Sequence, residues 1–467
     1  MGEGIYNAQG EVEALEGIII DISDRKEIDN YLRYNNEHDK WTGLYNRTYL
    51  EKLMKKDLAD KPGIKRAVIG INLSPIQSLS AVYGFRYTQE LTKAISDALV
   101  FLTNDRRMLF NTYENRFVFY IKQYDSTKEL ADFSQDIVSI IKPLLSSERI
   151  GAGIGIVEIN ENTSLDVDQI LKDLLIASEK ALSLYDGDIG YWFFDSSLEE
   201  QINREEVIKR ELAKIISGDD NSGFHMMFQP IYDLKKNCVC GFEALARLHC
   251  EGLGLVPPYE FIAIAEKNKL IIPLGNVIFT QAFSFLRKIR ELGYTDLFVS
   301  VNVSVNQLLK SGFSANLIEL INAAEVPPEY INLEITESVF VSNYHEINLI
   351  LGELSDLGIH IDIDDFGTGY SSLARVSELD VSCLKIDRYF IDMLMHIKPE
   401  KAITGDIISL AHKLGYIVVA EGVEHEKQKE YLLNNDCDRI QGYLIAKPLS
   451  TAAAINFLEK QCEVQAL

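Results

Sequence analysis

Asp364 and Asp365 stand side by side where an alternating run, Gly358-Ile-His-Ile-Asp-Ile363, gives way to Phe366-Gly-Thr-Gly-Tyr-Ser-Ser372. Ile359, Ile361 and Ile363 mark one apolar face of a strand, and the alternation stops at the two acids. Neighbouring side chains on a strand point to opposite faces. The pair could therefore serve two cations on either side of one strand terminus, or one cation and its neighbour's water. The Gly-Thr-Gly that follows allows a backbone too tight for residues with a Cβ, as loops gripping a phosphate or a metal often need.

The same arrangement, an acid or amide near the end of a strand, recurs along the second half of the chain. Glu243, Asn302, Glu334, Lys385, Glu421 and Gln441 each fall toward the C-terminal end of a strand-like segment. The segments are 225–231, 239–246, 297–303, 330–335, 359–364, 382–386, 416–421 and 438–443, with helical patterns between most of them, such as 275–292, 344–356, 402–414 and 450–459. Eight strands in this alternation predict a TIM-like (β/α)₈ barrel, with an eight-stranded open sheet as the alternative. In a barrel the polar strand ends converge on one rim. Taken alone, each acid is an ordinary solvated loop residue; as a set they follow the barrel period. Carboxylates and amides without histidine suit Mg²⁺ or Mn²⁺ rather than zinc. Lys385 among acids reads as a structural ion pair, or as a group that orients or deprotonates a metal-bound water.

The first half reads differently. Gly10-Glu-Val12 with Leu15–Ile22 predicts a hairpin, and Asp24 a helix N-cap. Residues of about 40–196 alternate helical and strand-like stretches, an α/β or α+β sandwich. A charged helical connector, Leu198 to Ile216, then reaches the polar turn Gly218–Gly223.

Composition limits the partners. The 467 residues suffice for two or three domains, and 47% hydrophobic with 10% aromatic content is that of a folded protein. A net charge of −24 argues against binding a nucleic-acid polymer or an anionic membrane by long-range attraction. Six cysteines without a CxxC pair point to a reducing cytoplasm, and eight histidines without HExxH argue against a histidine-built zinc site. No apolar run has membrane-spanning length.

Phe242-Glu-Ala-Leu-Ala-Arg247, Asp364-Asp-Phe-Gly-Thr-Gly-Tyr-Ser-Ser372 and Glu421-Gly-Val-Glu424 together resemble an EAL-domain cyclic di-GMP phosphodiesterase. The resemblance runs from about 224 to 460 and takes in Gln229-Pro230, Leu384-Lys-Ile-Asp387 and Gln441-Gly-Tyr443. It implies two Mg²⁺ or Mn²⁺ ions: one held by Glu243, Asn302, Glu334 and Asp364, the second by Asp364 with Asp365. Lys385, Glu421 and Gln441 would complete the water and metal environment. Glu337 would anchor the loop Asp365–Ser372, and Gln229, Leu245 and Arg247 would contact substrate. Where the family carries a tryptophan after this arginine, the chain has Leu248. The implied reaction is two-metal activation of water for in-line attack on phosphorus, opening the cyclic dinucleotide to linear pGpG, in a homodimer.

The N-terminal half resembles a GGDEF diguanylate cyclase domain in degenerate form. His38-Asp39 and Thr42-Gly-Leu-Tyr-Asn-Arg47 match its opening, but the signature has become Tyr113-Glu-Asn-Arg-Phe117. Asn72 stands where a metal-binding aspartate is expected, and Gln77, Ser80 and Gln89 replace phosphate- and guanine-binding positions. The resemblance implies no cyclase activity and a regulatory role. The opening hairpin with Asp21–Lys26 resembles the end of a PAS sensor, as in a piece of a longer signalling protein. The expected division is a PAS remnant over 1–23, a linker helix over 24–39, the GGDEF-like domain over 40–196, a connector over 197–223 and the barrel over 224–467.

Overall fold

The computed structural model describes residues 2–17, 31–32, 34–60, 63–113, 115–148, 150–159, 166–184, 188–218, 223–336, 344–367, 379–397 and 401–465. It divides into two compact units, Met1–Ile202 and Asn203–Leu467.

In the first unit, β1 (Gly2–Tyr6) and β2 (Val12–Gly17) form an antiparallel hairpin. The turn lies at 7–11, upstream of the expected one, because Asn7 Oδ1 accepts from the backbone N–H groups of Gln9 and Glu11. Residues 18–30, which carry the proposed N-cap Asp24, lie outside the described residues. The main sheet has the order β3 (Tyr45–Asn46), β5 (Arg107–Tyr113), β6 (Arg116–Ile121), β4 (Arg66–Asn72), β7 (Ala152–Ile159), β8 (Ile189–Phe193). All seven residues of β4 are buried, because the sheet is covered on both faces. Ala67, Ile69 and Ile71 enter one core cluster and Val68 the other. Gly153 on β7 lets the helix Val167–Leu184 approach closely: a Cβ there would lie 2.0 Å from the Ser178 carbonyl oxygen.

In the second unit the strands close into a barrel. The order is β10 (Cys238–Cys250), β12 (Phe298–Asn302), β13 (Ile331–Thr336), β14 (His360–Phe366), β15 (Cys383–Ile386), β16 (Ile417–Ala420), β17 (Arg439–Gln441), β9 (Phe224–Asp233), and β9 pairs back onto β10. A short β11 (Gly254–Val256) extends β10 outward. Closure, not the open sheet, is the outcome.

One strand departs from the regular (β/α)₈ pattern. β9 runs antiparallel to both neighbours, β10 and β17, while the remaining barrel pairs are parallel. The cause is local. Only residues 234–237 separate β9 from β10, too few for the crossover a parallel pair needs. Asp233 Oδ1 accepts from the N–H groups of Lys235 and Lys236, and Asn237 takes a left-handed φ of 56°, which together turn the chain back.

Alternation on β14 then sets what faces where. Ile361 and Ile363 join the large apolar cluster formed with the surrounding helices. Asp362 and Asp364, on the other face, point into the barrel and are also buried. Ile231, Phe298, Cys383 and Val419 form a small buried apolar cluster of their own.

Candidate active site

Glu243, Asn302, Glu334, Asp364, Lys385, Glu421, Gln441 and Gln229 come from eight barrel segments and meet inside one end of it. Register brings Glu243 opposite Gln229 and Asn302 opposite Glu334. Asn302 Nδ2 donates to Glu243 Oε1 at 2.8 Å, and Gln441 Nε2 donates to Glu243 Oε2. Gln441 Nε2 also reaches Gln229 Oε1 at 3.4 Å. Both oxygens of Glu243 are thus held by neutral amides, which fixes its rotamer.

Lys385 sits at the centre, 1% exposed. Its Nζ lies 2.6 Å from Glu421 Oε1, 2.8 Å from Glu334 Oε2, 3.2 Å from Asp364 Oδ1 and 3.9 Å from Glu243 Oε2. These contacts are electrostatic. Apart from Lys385, no described residue donates to either oxygen of Glu334 or to Asp364 Oδ1. Four carboxylates thus lie within 4 Å of one ammonium, with Asp365 next to Asp364 and Glu421, and two like charges 4 Å apart repel by about 4 kcal/mol at an effective dielectric near 20.

The strain shows in the proton affinities. Burial, reinforced by the charge of Glu243, pushes Glu334 well above the ordinary carboxylate range. Burial pushes Glu421 up to about 8, with Lys385 opposing and Asp364 adding to the shift. Burial and the neighbouring Asp364 push Asp365 up to about 6. Glu243 goes the other way: burial raises it, but Lys385 and the amides of Gln441 and Asn302 outweigh burial and hold it low. Burial would discharge Lys385, yet Asp364, Glu243, Glu334 and Glu421 hold it well above the usual lysine value.

The two adjacent aspartates do not point apart. Pairing between β14 and β15 slips between Ile363 and Phe366, and Asp365 takes a left-handed φ of 55°. That twist breaks the strand alternation on which opposite orientation depends. Oxygens of Asp364, Asp365 and Glu421 instead come within 4.8 Å of one another. A divalent cation would satisfy such a group, and the oxygens of Glu334 and Asp364, which have no donor but Lys385 among the described residues, fit the same purpose.

Residues 210–448 match the EAL domain family. The chain belongs to the EAL domain family. Residues 36–183 of the same chain match the family of the diguanylate cyclase, GGDEF domain. The chain is 29% identical over 420 residues to the bifunctional diguanylate cyclase/cyclic di-GMP phosphodiesterase MucR of Pseudomonas aeruginosa, covering 88% of this chain and 60% of MucR. It is 27% identical over 463 residues to the signaling protein YkoW of Bacillus subtilis, covering 97% of this chain and 56% of YkoW. The chain thus spans little more than half the length of these curated relatives. The structure of the EAL enzyme Bd1971 with cAMP and cyclic-di-GMP bound matches with a TM-score of 0.53 and 30% identity, over 65% of this chain and 80% of that one.

Other sequence-derived positions of the EAL unit fall as follows. Leu245 and Arg247 follow Glu243 along the same face of β10, both partly exposed; Arg247 Nη1 donates to the Ala246 carbonyl. Gln229 Nε2 donates to the Ala446 carbonyl. Leu248 is fully buried in the main cluster. Glu337 and residues 368–372 of the loop lie outside the described residues. Sequence reading passed over Asn332 and Asp362, a buried pair in which Asn332 Nδ2 donates to Asp362 Oδ2 at 2.8 Å. The signal was present, since position 362 shares the inward face with 364.

In the GGDEF unit, Asp39 accepts from Thr42 N and Oγ1 at 2.7 and 2.6 Å. Asp39, Gln77, Ser80 and Gln89 line one cavity of about 850 Å³. Asn72 ends β4, 1% exposed, directly opposite Arg116 of β6. An amide facing a guanidinium is not a donor set for a divalent cation. No helix among the described residues is long and apolar enough to cross a membrane.

Proposed function

We propose that the barrel hydrolyses cyclic di-GMP to linear pGpG with two divalent cations, Mg²⁺ or Mn²⁺. The observation that carries this reading is the convergence of four carboxylates, Glu243, Glu334, Asp364 and Glu421, within 4 Å of the single ammonium of Lys385 at one barrel end, with Asp365 beside Asp364 and Glu421. Such an arrangement is costly unless cations complete it. MucR is named a bifunctional diguanylate cyclase/cyclic di-GMP phosphodiesterase and the Bd1971 structure has cyclic di-GMP bound, which supports this substrate.

Glu243, Asn302, Glu334 and Asp364 would hold one cation, and Asp364, Asp365 and Glu421 the other. When bound, the cations supply Lewis-acid stabilisation of the phosphoryl oxygens and lower the pKa of water. The protein's own groups do the rest. Gln441 and Asn302 fix Glu243 in one rotamer. Lys385 offsets part of the acid charge and presents an ammonium beside Glu421, placed to orient the attacking water. Gln229, Leu245 and Arg247 lie along the β9–β10 side, where they would position the dinucleotide.

A second reading, a receptor that binds cyclic di-GMP without cutting it, is separated by one experiment. The purified chain is incubated with cyclic di-GMP and Mn²⁺, with a chelator as control, and products are resolved by chromatography. Metal-dependent pGpG supports hydrolysis; binding with full recovery of the cyclic form supports the receptor.

The N-terminal unit we read as a regulator without cyclase chemistry, with the domain limits 1–23, 24–39, 40–196, 197–223 and 224–467 given above and a homodimer as the working state. Deleting residues 1–196 should alter turnover or oligomeric state; an isolated barrel identical to the whole chain in both would remove that role.

A further inference from the structure

In the GGDEF unit, a cavity of about 300 Å³ opens between the sheet and the helix Val167–Leu184. Its walls are apolar, formed by Ile71, Val118, Leu171 and Leu174 among others. Three cations, Arg47, Arg116 and Lys172, also line it, against a single carboxylate, Asp168. Each cation has an acidic neighbour: Arg47 has Glu51 and Asp168, Arg116 has Glu179 at 3.4 Å, and Lys172 has Glu199 at 2.7 Å. The acids Asp168 and Glu179 are 74% and 57% exposed, and ion pairs so open to water contribute little. An entering anion can take their place.

A second feature points to a ligand. Asn72 Oδ1 accepts from the backbone N–H of Ser74 at 3.0 Å, which fixes the amide orientation. Asn72 Nδ2 is then a buried donor without an acceptor among the described residues, at a cavity-lining residue 1% exposed. Asn72 pairs with Arg116 across β4 and β6, so donor and guanidinium belong to one end of the cavity. A divalent cation does not suit this end, since the one lining carboxylate is engaged by Arg47. Inorganic phosphate alone would leave the apolar walls uncovered.

We propose that this cavity binds a small amphiphilic carboxylate. The carboxylate lies against Arg116, Arg47 and the Asn72 amide; the hydrocarbon part lies along Val118, Leu171 and Leu174. The site is separate from the barrel chemistry and does not depend on it.

The test is calorimetric titration of the whole chain with octanoate, with octanol as a probe lacking charge and inorganic phosphate as a probe lacking a chain. Octanoate binds, and octanol and phosphate bind at least roughly tenfold more weakly, the size expected for losing a charged hydrogen bond or an apolar contact of this kind. Arg116→Ala weakens octanoate by roughly tenfold, whereas Arg116→Lys keeps most of the affinity. Arg116 is partly exposed, so both variants fold, and circular dichroism verifies it. Absence of octanoate binding, equal binding of octanol, tighter binding of phosphate, or unchanged octanoate affinity in folded Arg116→Ala each overturns the proposal.

Discussion

Lys385 Nζ lies 2.6 Å from Glu421 Oε1, and burial pushes that carboxyl up to about 8 despite the ammonium beside it. One lysine cannot neutralise the acids that the barrel strands bring to it. Removing it worsens an existing imbalance. Lys385→Met therefore destabilises the metal-free protein by about 3–5 kcal/mol, the usual cost of stranding one side of a buried ion pair. Urea unfolding with and without Mn²⁺ measures this. The loss should shrink when Mn²⁺ is present, and an unchanged midpoint in its absence would refute the balance described.

Asp365→Asn isolates charge from backbone. Asp365 occupies φ 55°, a conformation that asparagine tolerates about as well as aspartate. The variant should keep its fold and unfolding midpoint while turnover of cyclic di-GMP drops by at least about 100-fold, as for loss of a metal-binding charge. Substantial turnover at Mn²⁺ saturating for the parent would remove Asp365 from the second cation.

Cation binding should be coupled to protons. Burial and the neighbouring Asp364 push Asp365 up to about 6, and burial pushes Glu421 up to about 8, so below these values both carboxyls are increasingly protonated without a cation. A cation takes the ionised form, so affinity rises as pH rises through this range and protons are released on binding. Mn²⁺ titrations at pH 6 and pH 8, in buffers of different ionisation enthalpy, would show both effects. Equal affinity with no proton release would contradict the assigned ligands.

The N-terminal unit should not cyclise GTP under any metal condition. Asn72 and Arg116 pair across β4 and β6, where the resemblance to a diguanylate cyclase places metal-binding carboxylates. Asn72→Asp alone should not create the activity, because Arg116 remains opposite and would pair with the new acid. Cyclic di-GMP formed from GTP by the parent chain would overturn this.

Much of the site was legible because its chemistry follows strand periodicity. Glu334, Asp364 and Lys385 each lie near the C-terminal end of an apolar strand and Glu243 lies midway along the longer β10, and barrel closure makes these positions converge. The antiparallel β9 was less apparent, although the four residues 234–237 between it and β10 already excluded a crossover helix. The orientation of Asp365 was not legible. It depends on one left-handed residue and a slipped pairing, and no alternation rule contains either. Asp362 was missed for the opposite reason: its inward face follows from the period, but an acid there reads as a solvated residue until Asn332 is seen to meet it. That Lys385 is a cation among acids was legible, but its contact with four of them at once emerges only from the packing of the strands around it.

The most direct measurement of the central claim is hydrolysis of cyclic di-GMP in water enriched in heavy oxygen, followed by mass spectrometry of the product. The account predicts linear pGpG carrying one heavy oxygen on its terminal phosphate, formed with Mn²⁺ and abolished by chelator or by Glu243→Gln. Quantitative recovery of unlabelled cyclic di-GMP from protein shown to be saturated with both dinucleotide and Mn²⁺ would contradict it.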